Sequence, residues 1–176
     1  MEEDALGFLR ELVETPSPSG FEDENLTNWR ERVEGVAEEL RTDAYGNTTA
    51  TVNPGCENSI VVTGHVDEIG LMVNHVTEDG YVYLKKIGGI DVGVAQGQRL
   101  RIHGEDGEVP GVVARKPVHL QNDEERDKLP DMEDIYVDIG AEDNEAAREA
   151  GVHVGATATY ETGFERLLGD TVAGRG

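Results

Sequence analysis

The chain has 176 residues, enough for one ordinary domain or two small ones. Its apolar fraction is 37%, with few aromatics, so a core must be built mainly from Val, Leu, Ile and Ala. There are 37 acids against 15 bases, a formal net charge of −22; such a surface repels nucleic acid and anionic membranes, and neither is expected as a partner.

The acids run from Glu2 to Asp170 rather than forming one tail, and only four of the bases are lysines. That pattern fits adaptation to high salt, where self-repulsion is screened. Cys56 is the single cysteine, so no internal disulfide is expected and a cytoplasmic location is the default. The opening MEEDALGF lacks the features of a signal peptide, and no apolar run has the length of a membrane span.

Along the chain, Asp4 to Glu14 is predicted helical, with Leu6, Leu9 and Val13 on one face. Thr15-Pro-Ser-Pro-Ser-Gly20 breaks it. A second helix is predicted from about Asp23 to Val33, with Gly35 as its stop. The period then changes. Glu38 to Asp43, Thr48 to Val52 and Ser59 to Thr63 are predicted strands, the first two joined at Tyr45-Gly46-Asn47. The third holds Ile60-Val61-Val62, a continuous apolar run expected of a strand buried on both faces.

From Leu71 the texture is all-β. Short strands are predicted at Leu71 to Val76, Tyr81 to Lys85, Arg99 to His103, Val109 to Arg115, Ile135 to Ile139 and Val152 to Tyr160, with hairpin signals at Asp79-Gly80 and Asp106-Gly107. Gln121 to Met132 is expected to be a polar loop, and Asp143 to Ala150 a short helix. The implied division is 1–70 as the first part of an α/β domain, 71–160 as an inserted β-rich domain and 161–176 as a return to the first.

GHVDEIG (Gly64 to Gly70) follows the apolar run. Residues two apart on a strand face the same way, so His65 and Asp67 are expected to project together. An imidazole there can bind a divalent metal through one ring nitrogen while the carboxylate orients it. Taken alone a His-x-Asp triplet is weak, and a polar strand tip is the commoner meaning. His75, His103, His119 and His153 are more simply surface or core residues; His119 lies just before the polar loop. No Cys-x-x-Cys, nucleophile elbow, P-loop or dinucleotide fingerprint occurs.

The order of motifs carries more. TPSPSGFE (Thr15 to Glu22), DAYGN (Asp43 to Asn47), GHVDEIG, KIGG (Lys86 to Gly89), GQRLRI (Gly97 to Ile102), KPVHL (Lys116 to Leu120) and YVDIGA (Tyr136 to Ala141) occur in series. Together they resemble the TET, or glutamyl aminopeptidase, family of metallo-aminopeptidases, whose members have also been labelled cellulase M or endoglucanase. The resemblance implies an α/β catalytic domain interrupted by a β-rich, PDZ-like or β-barrel domain that mediates dimerisation. It implies dimers assembling to a dodecamer that trims short peptides from the N-terminus, with two divalent metal ions, zinc or cobalt. His65 maps onto a metal ligand and Asp67 onto the catalytic acid that assists it; Glu68 receives no role, and TPSPSGFE a positioning one.

Family members are considerably longer. Their bridging Asp, general-base Glu and remaining ligands come later, and Asp170 to Gly176 resembles the approach to the bridging Asp. The chain alone is therefore expected to be inactive. Two other readings compete with a partial aminopeptidase: a non-catalytic dimerisation or regulatory fragment of such an enzyme, and a glycoside hydrolase. The last needs a carboxylate pair at a sugar site, and no pair stands out among so many acids.

Overall fold

Helical spacing of Leu6, Leu9 and Val13 produces α1 (Glu3–Glu14), and α2 (Asp23–Glu34) follows after the Pro-rich break, ending at Gly35. Acids in the first turn of both helices (Glu3 and Asp4, then Asp23 and Glu24) complement the helix dipoles. The computed structural model describes residues 2–175. They fall into two units: residues up to Glu68 together with those from Gly163 onward, and Ile69–Thr162.

In the first unit the two helices accompany an antiparallel hairpin, β1 (Glu39–Thr42) and β2 (Thr48–Thr51), in the register Glu39↔Thr51 to Thr42↔Thr48. Its turn is held by Asp43, whose carboxylate accepts the N–H groups of Tyr45 and Asn47, with Gly46 at φ +88°. The returning segment folds back along α1: Arg166 pairs with Glu3, the Phe164 N–H donates to Glu14, and Arg10 lies over the Phe164 ring at 5.0 Å.

Ser59 to Thr63 is not a strand. Ile60, Val61 and Val62 are 93%, 76% and 92% exposed. A strand buried on both faces needs neighbours to pair with and layers to cover it. Among the described residues of this unit, strands occur only in two-stranded ladders, and none includes this segment.

The second unit is built on a closed barrel. Its strands are β3 (Gly70–Val76), β4 (Val82–Ile87), β5 (Arg99–Gly104), β6 (Gly107–Arg115), β7 (Ile135–Asp138) and β8 (Thr157–Tyr160). The order β3-β4-β7-β6-β5-β8 closes where Leu71 pairs with Ala158. Alternation sends Leu71 and Val73, Val82 and Leu84, Leu100 and Ile102, and Ile135 and Val137 inward, where all are buried. The β3–β4 and β5–β6 hairpins turn at the expected Asp79-Gly80 and Asp106-Gly107, with φ +80° and +131° at the glycines.

Two predictions for this unit need correction. The polar stretch from Gln121 is not an open loop: Asn122 and Glu125 form a reciprocal capping box that starts a one-turn helix at Asp123–Asp127, and Lys116 closes an ion pair onto Glu125. Val152 to Ala156 is not part of a strand, because Gly155 takes φ +96° and the ladder begins only at Thr157. The short helix is present at Asn144–Glu149, capped by Asp143.

Candidate metal centre

His65 and Asp67 do meet, though not on a strand. They lie in an extended loop, and the imidazole turns toward the residue two positions on. His65 Nδ1 is 2.8 Å from the Asp67 carbonyl oxygen and 3.0 Å from Asp67 Oδ1. Both neighbours are acceptors, so Nδ1 carries the hydrogen and donates. In its neutral form a ring so held keeps its lone pair on Nε2, and the side chain is 82% exposed. That is the state a metal-binding imidazole requires, with the other nitrogen fixed by a carboxylate or carbonyl.

Asp67 is held from its other side. The Ser19 hydroxyl donates to Asp67 Oδ2. This bond holds the Asp67 carboxyl below the ordinary carboxylate value; burial opposes it, and the His65 ring adds a further lowering. Asp67 therefore carries full negative charge at neutral pH. The Pro-rich break supplies that serine: a parallel bridge joins Pro18 to Glu68, the Glu68 N–H donates to the Ser17 carbonyl at 2.8 Å, and the Ser19 N–H donates to the Glu68 carbonyl at 3.3 Å.

Glu68, to which the sequence assigned nothing, is buried. Its Oε1 accepts the Ser17 N–H at 3.0 Å, and its Oε2 accepts Arg175 Nε at 2.7 Å. Arg175 also donates to the Glu14 carbonyl at 2.9 Å. Neither residue has a local sequence signal for this pairing, since 107 positions separate them.

The other histidines are accounted for in the second unit. His75 stacks on Tyr83 at 4.8 Å, His103 bonds Thr159, and His153 bonds the Gly151 carbonyl. His119 is exposed in a short 3-10 turn, and Cys56 is exposed in the first unit. Among the described residues no group of three or more His, Cys, Asp or Glu side chains is gathered as a metal cage. The residues present fit one metal ligand with its orienting carboxylate, whereas zinc takes three protein ligands at a catalytic site.

Known proteins give the half-site a context. Lysyl aminopeptidase of Pyrococcus furiosus is 34% identical over 91% of this chain and 46% of its own length. The crystal structure of a TET aminopeptidase from the Thaumarchaeota archaeon SCGC AB-539-E09 superimposes with a TM-score of 0.89 at 32% identity, over 94% of this chain and 46% of that one. TET1 peptidase of Pyrococcus horikoshii, which assembles into a tetrahedron or a large octahedral shell, follows at 0.84 and 29%, over 97% and 51%. The chain spans about half the length of the curated relatives it matches. The sequence profile of the M42 glutamyl aminopeptidases matches residues 46–176, a stretch that holds His65, Asp67 and every strand of the barrel. This chain belongs to the M42 glutamyl aminopeptidase family.

Proposed function

We propose that this chain contributes His65 as a metal ligand and Asp67 as its orienting acid to the centre of a metal-dependent aminopeptidase that trims N-terminal residues from short peptides. The observation that carries the reading is the His65–Asp67 contact, which fixes the Nδ1–H tautomer and leaves Nε2 free to bind. Family membership supports the reaction class, and the name of the Pyrococcus furiosus relative agrees with it. Two divalent ions, zinc or cobalt, are the cofactors that the resemblance implies.

A metal pair bound at such a centre polarises the scissile carbonyl and lowers the pKa of a water. The part assigned to this chain is narrower. His65 holds one ion through Nε2. Asp67 keeps the ring oriented and raises the donor strength of Nε2 by accepting the Nδ1 hydrogen. Ser19 keeps Asp67 aimed and holds its pKa below the ordinary value.

The barrel is assigned the second role, joining copies of the chain. The support is the assembly of Pyrococcus horikoshii TET1 into a tetrahedron or a large octahedral shell, which suggests a homo-oligomer, with a dodecamer the form the resemblance implies. Sedimentation in strong salt tests this, and a purely monomeric chain would count against it.

Zinc titration of 15N-histidine-labelled protein tests the site. Resonances of His65 are expected to move first, and His65→Ala is expected to abolish that first binding step, leaving the other histidines unmoved at the same zinc concentration. One imidazole and one carboxylate are too few to hold catalytic zinc, so the 176-residue polypeptide alone is expected to leave an aminoacyl anilide uncleaved. Robust hydrolysis by it would show that its residues complete the centre in a way this reading does not contain.

A further inference from the structure

Among the described residues of the first unit, the buried ones are Ser17, Pro18, Asn25 and Glu68. This is the reverse of an apolar core, because three of the four are polar and they are joined to one another. Asn25 donates to Ser17 Oγ at 3.2 Å and to the Leu12 carbonyl at 3.0 Å. Ser17 donates its N–H to Glu68, and Glu68 meets Arg175 with side chains only 5% and 10% exposed. A charged pair withdrawn from water costs desolvation that an apolar pair would not, so its presence favours a directional role over one of simple cohesion.

The directions lead to the half-site. Glu68 adjoins Asp67 in the chain, and its two carboxylate oxygens are divided between the Pro-rich segment and the returning segment. The same Pro-rich segment presents Ser19 to Asp67, and Asp67 faces Nδ1 of His65. The His65 ring is too exposed to be held by packing, so its orientation depends on Asp67. The orientation of Asp67 depends in turn on how Ser17–Ser19 is seated against Glu68.

We infer that Glu68 and Arg175 are positioning residues for the His65–Asp67 half-site, the buried ion pair holding Ser19 and Asp67 in the register that keeps Nε2 of His65 available. This rests on the reading of His65 as a ligand. It adds two residues, one reaching back from the far end of the chain, that touch neither metal nor substrate. A brace of purely structural value would stabilise the unit and leave the imidazole unaffected.

The test uses the 176-residue chain labelled with 15N-histidine, at a pH where the ring is neutral. Arg175→Met removes the cation; Glu68→Gln keeps an acceptor for the Ser17 N–H and removes the charge; Arg175→Lys restores a cation. Wild type is expected to show His65 as a single Nδ1–H tautomer. Both charge-removing variants are expected to show a mixture of tautomers and a zinc affinity at His65 about tenfold lower, the low end of the loss seen when partners behind a metal ligand are removed. Arg175→Lys is expected to recover part of both. A tautomer and a zinc affinity unchanged in Glu68→Gln and Arg175→Met would overturn the inference. If Arg175→Met loses the fold of the first unit, read from Trp29 fluorescence, Glu68→Gln decides. If zinc fails to reach His65 in wild type, the ligand reading falls, and the tautomer comparison still decides whether the pair positions the ring.

Discussion

Gly111 of β6 lies so near Val137 of β7 that a Cβ on the glycine would fall 2.4 Å from Val137 Cγ1 and 3.0 Å from Ile139 Cγ2. Gly111 faces the barrel interior between paired strands, and its φ lies outside the left-handed region, so space alone demands glycine there. Gly111→Ala is expected to destabilise the barrel by about 1–3 kcal/mol, the usual cost of overpacking a tight interior. The measurement is the denaturant midpoint followed by tyrosine near-ultraviolet circular dichroism. Four of the five tyrosines, Tyr81, Tyr83, Tyr136 and Tyr160, lie in this unit; Tyr45 lies exposed in the other, which Trp29 reports. An unchanged tyrosine midpoint would mean that β6 and β7 separate at little cost.

Ser19 and Asp67 give a prediction in acid. Asp67 has a folded-state pKa below its unfolded value, chiefly because of the Ser19 hydroxyl. The stability it contributes is therefore present above the unfolded carboxylate value of about 3.9 and is lost as pH falls through the lower folded value. Ser19→Ala is expected to move the Asp67 carboxyl toward that ordinary value, read by 13C resonance against pH. The acid limb of the unfolding curve for the first unit should flatten with it. The side chain is partly exposed, so solvent screens the energy and the resonance is the sharper readout.

How much of this was legible in the sequence depended on whether the signal was local. Spacing of Leu6, Leu9 and Val13 marked α1, and Asp-Gly pairs marked two barrel hairpins, because each is decided by neighbours a few positions away. The helix at Asp123–Asp127 was missed because a capping box holds it, without an apolar face to show a period. At the site, the two-residue step from His65 to Asp67 was visible and survived the loss of the strand, since the ring reaches the carbonyl two residues on. The Glu68–Arg175 pair was invisible. Among so many acids nothing nominates the one that an arginine at the far end of the chain will find.

Ile60, Val61 and Val62 show the limit of an apolar run as a signal, because it says that a segment favours a strand but not who pairs with it. Exposed and outside every ladder, these residues are expected to exchange amide hydrogens close to unprotected rates, in contrast to Leu100 and Ile102 inside the barrel. A β-branched apolar segment with open backbone also favours pairing between copies. Val61→Glu is expected to reduce self-association in strong salt, where the −22 net charge no longer repels, and to leave the tyrosine signal of the barrel intact. Slow exchange at these three amides in dilute protein would show the segment to be paired.

Tyr136 contributes to the alkaline limit of the barrel, beside Tyr160, whose pKa burial and then Asp91 also raise. The Tyr136 ring packs 4.6 Å from Tyr81 and 6.1 Å from Tyr83, and burial, then Tyr81, Asp138 and Tyr83, raise its pKa above the ordinary phenol value. Ionisation places a charge among groups that disfavour it, so the folded state holds the phenolic proton more tightly than the unfolded chain does. The stabilising contribution is full below the unfolded value of about 10 and is lost as pH rises through the higher folded value. The barrel is therefore expected to lose denaturant resistance as pH climbs past about 10, with tyrosinate absorbance lagging behind that of free tyrosine. Tyr136→Phe keeps the ring contact and removes the proton, so it should shallow that decline while changing stability little at neutral pH. A decline equally steep in Tyr136→Phe would assign the alkaline loss to other groups.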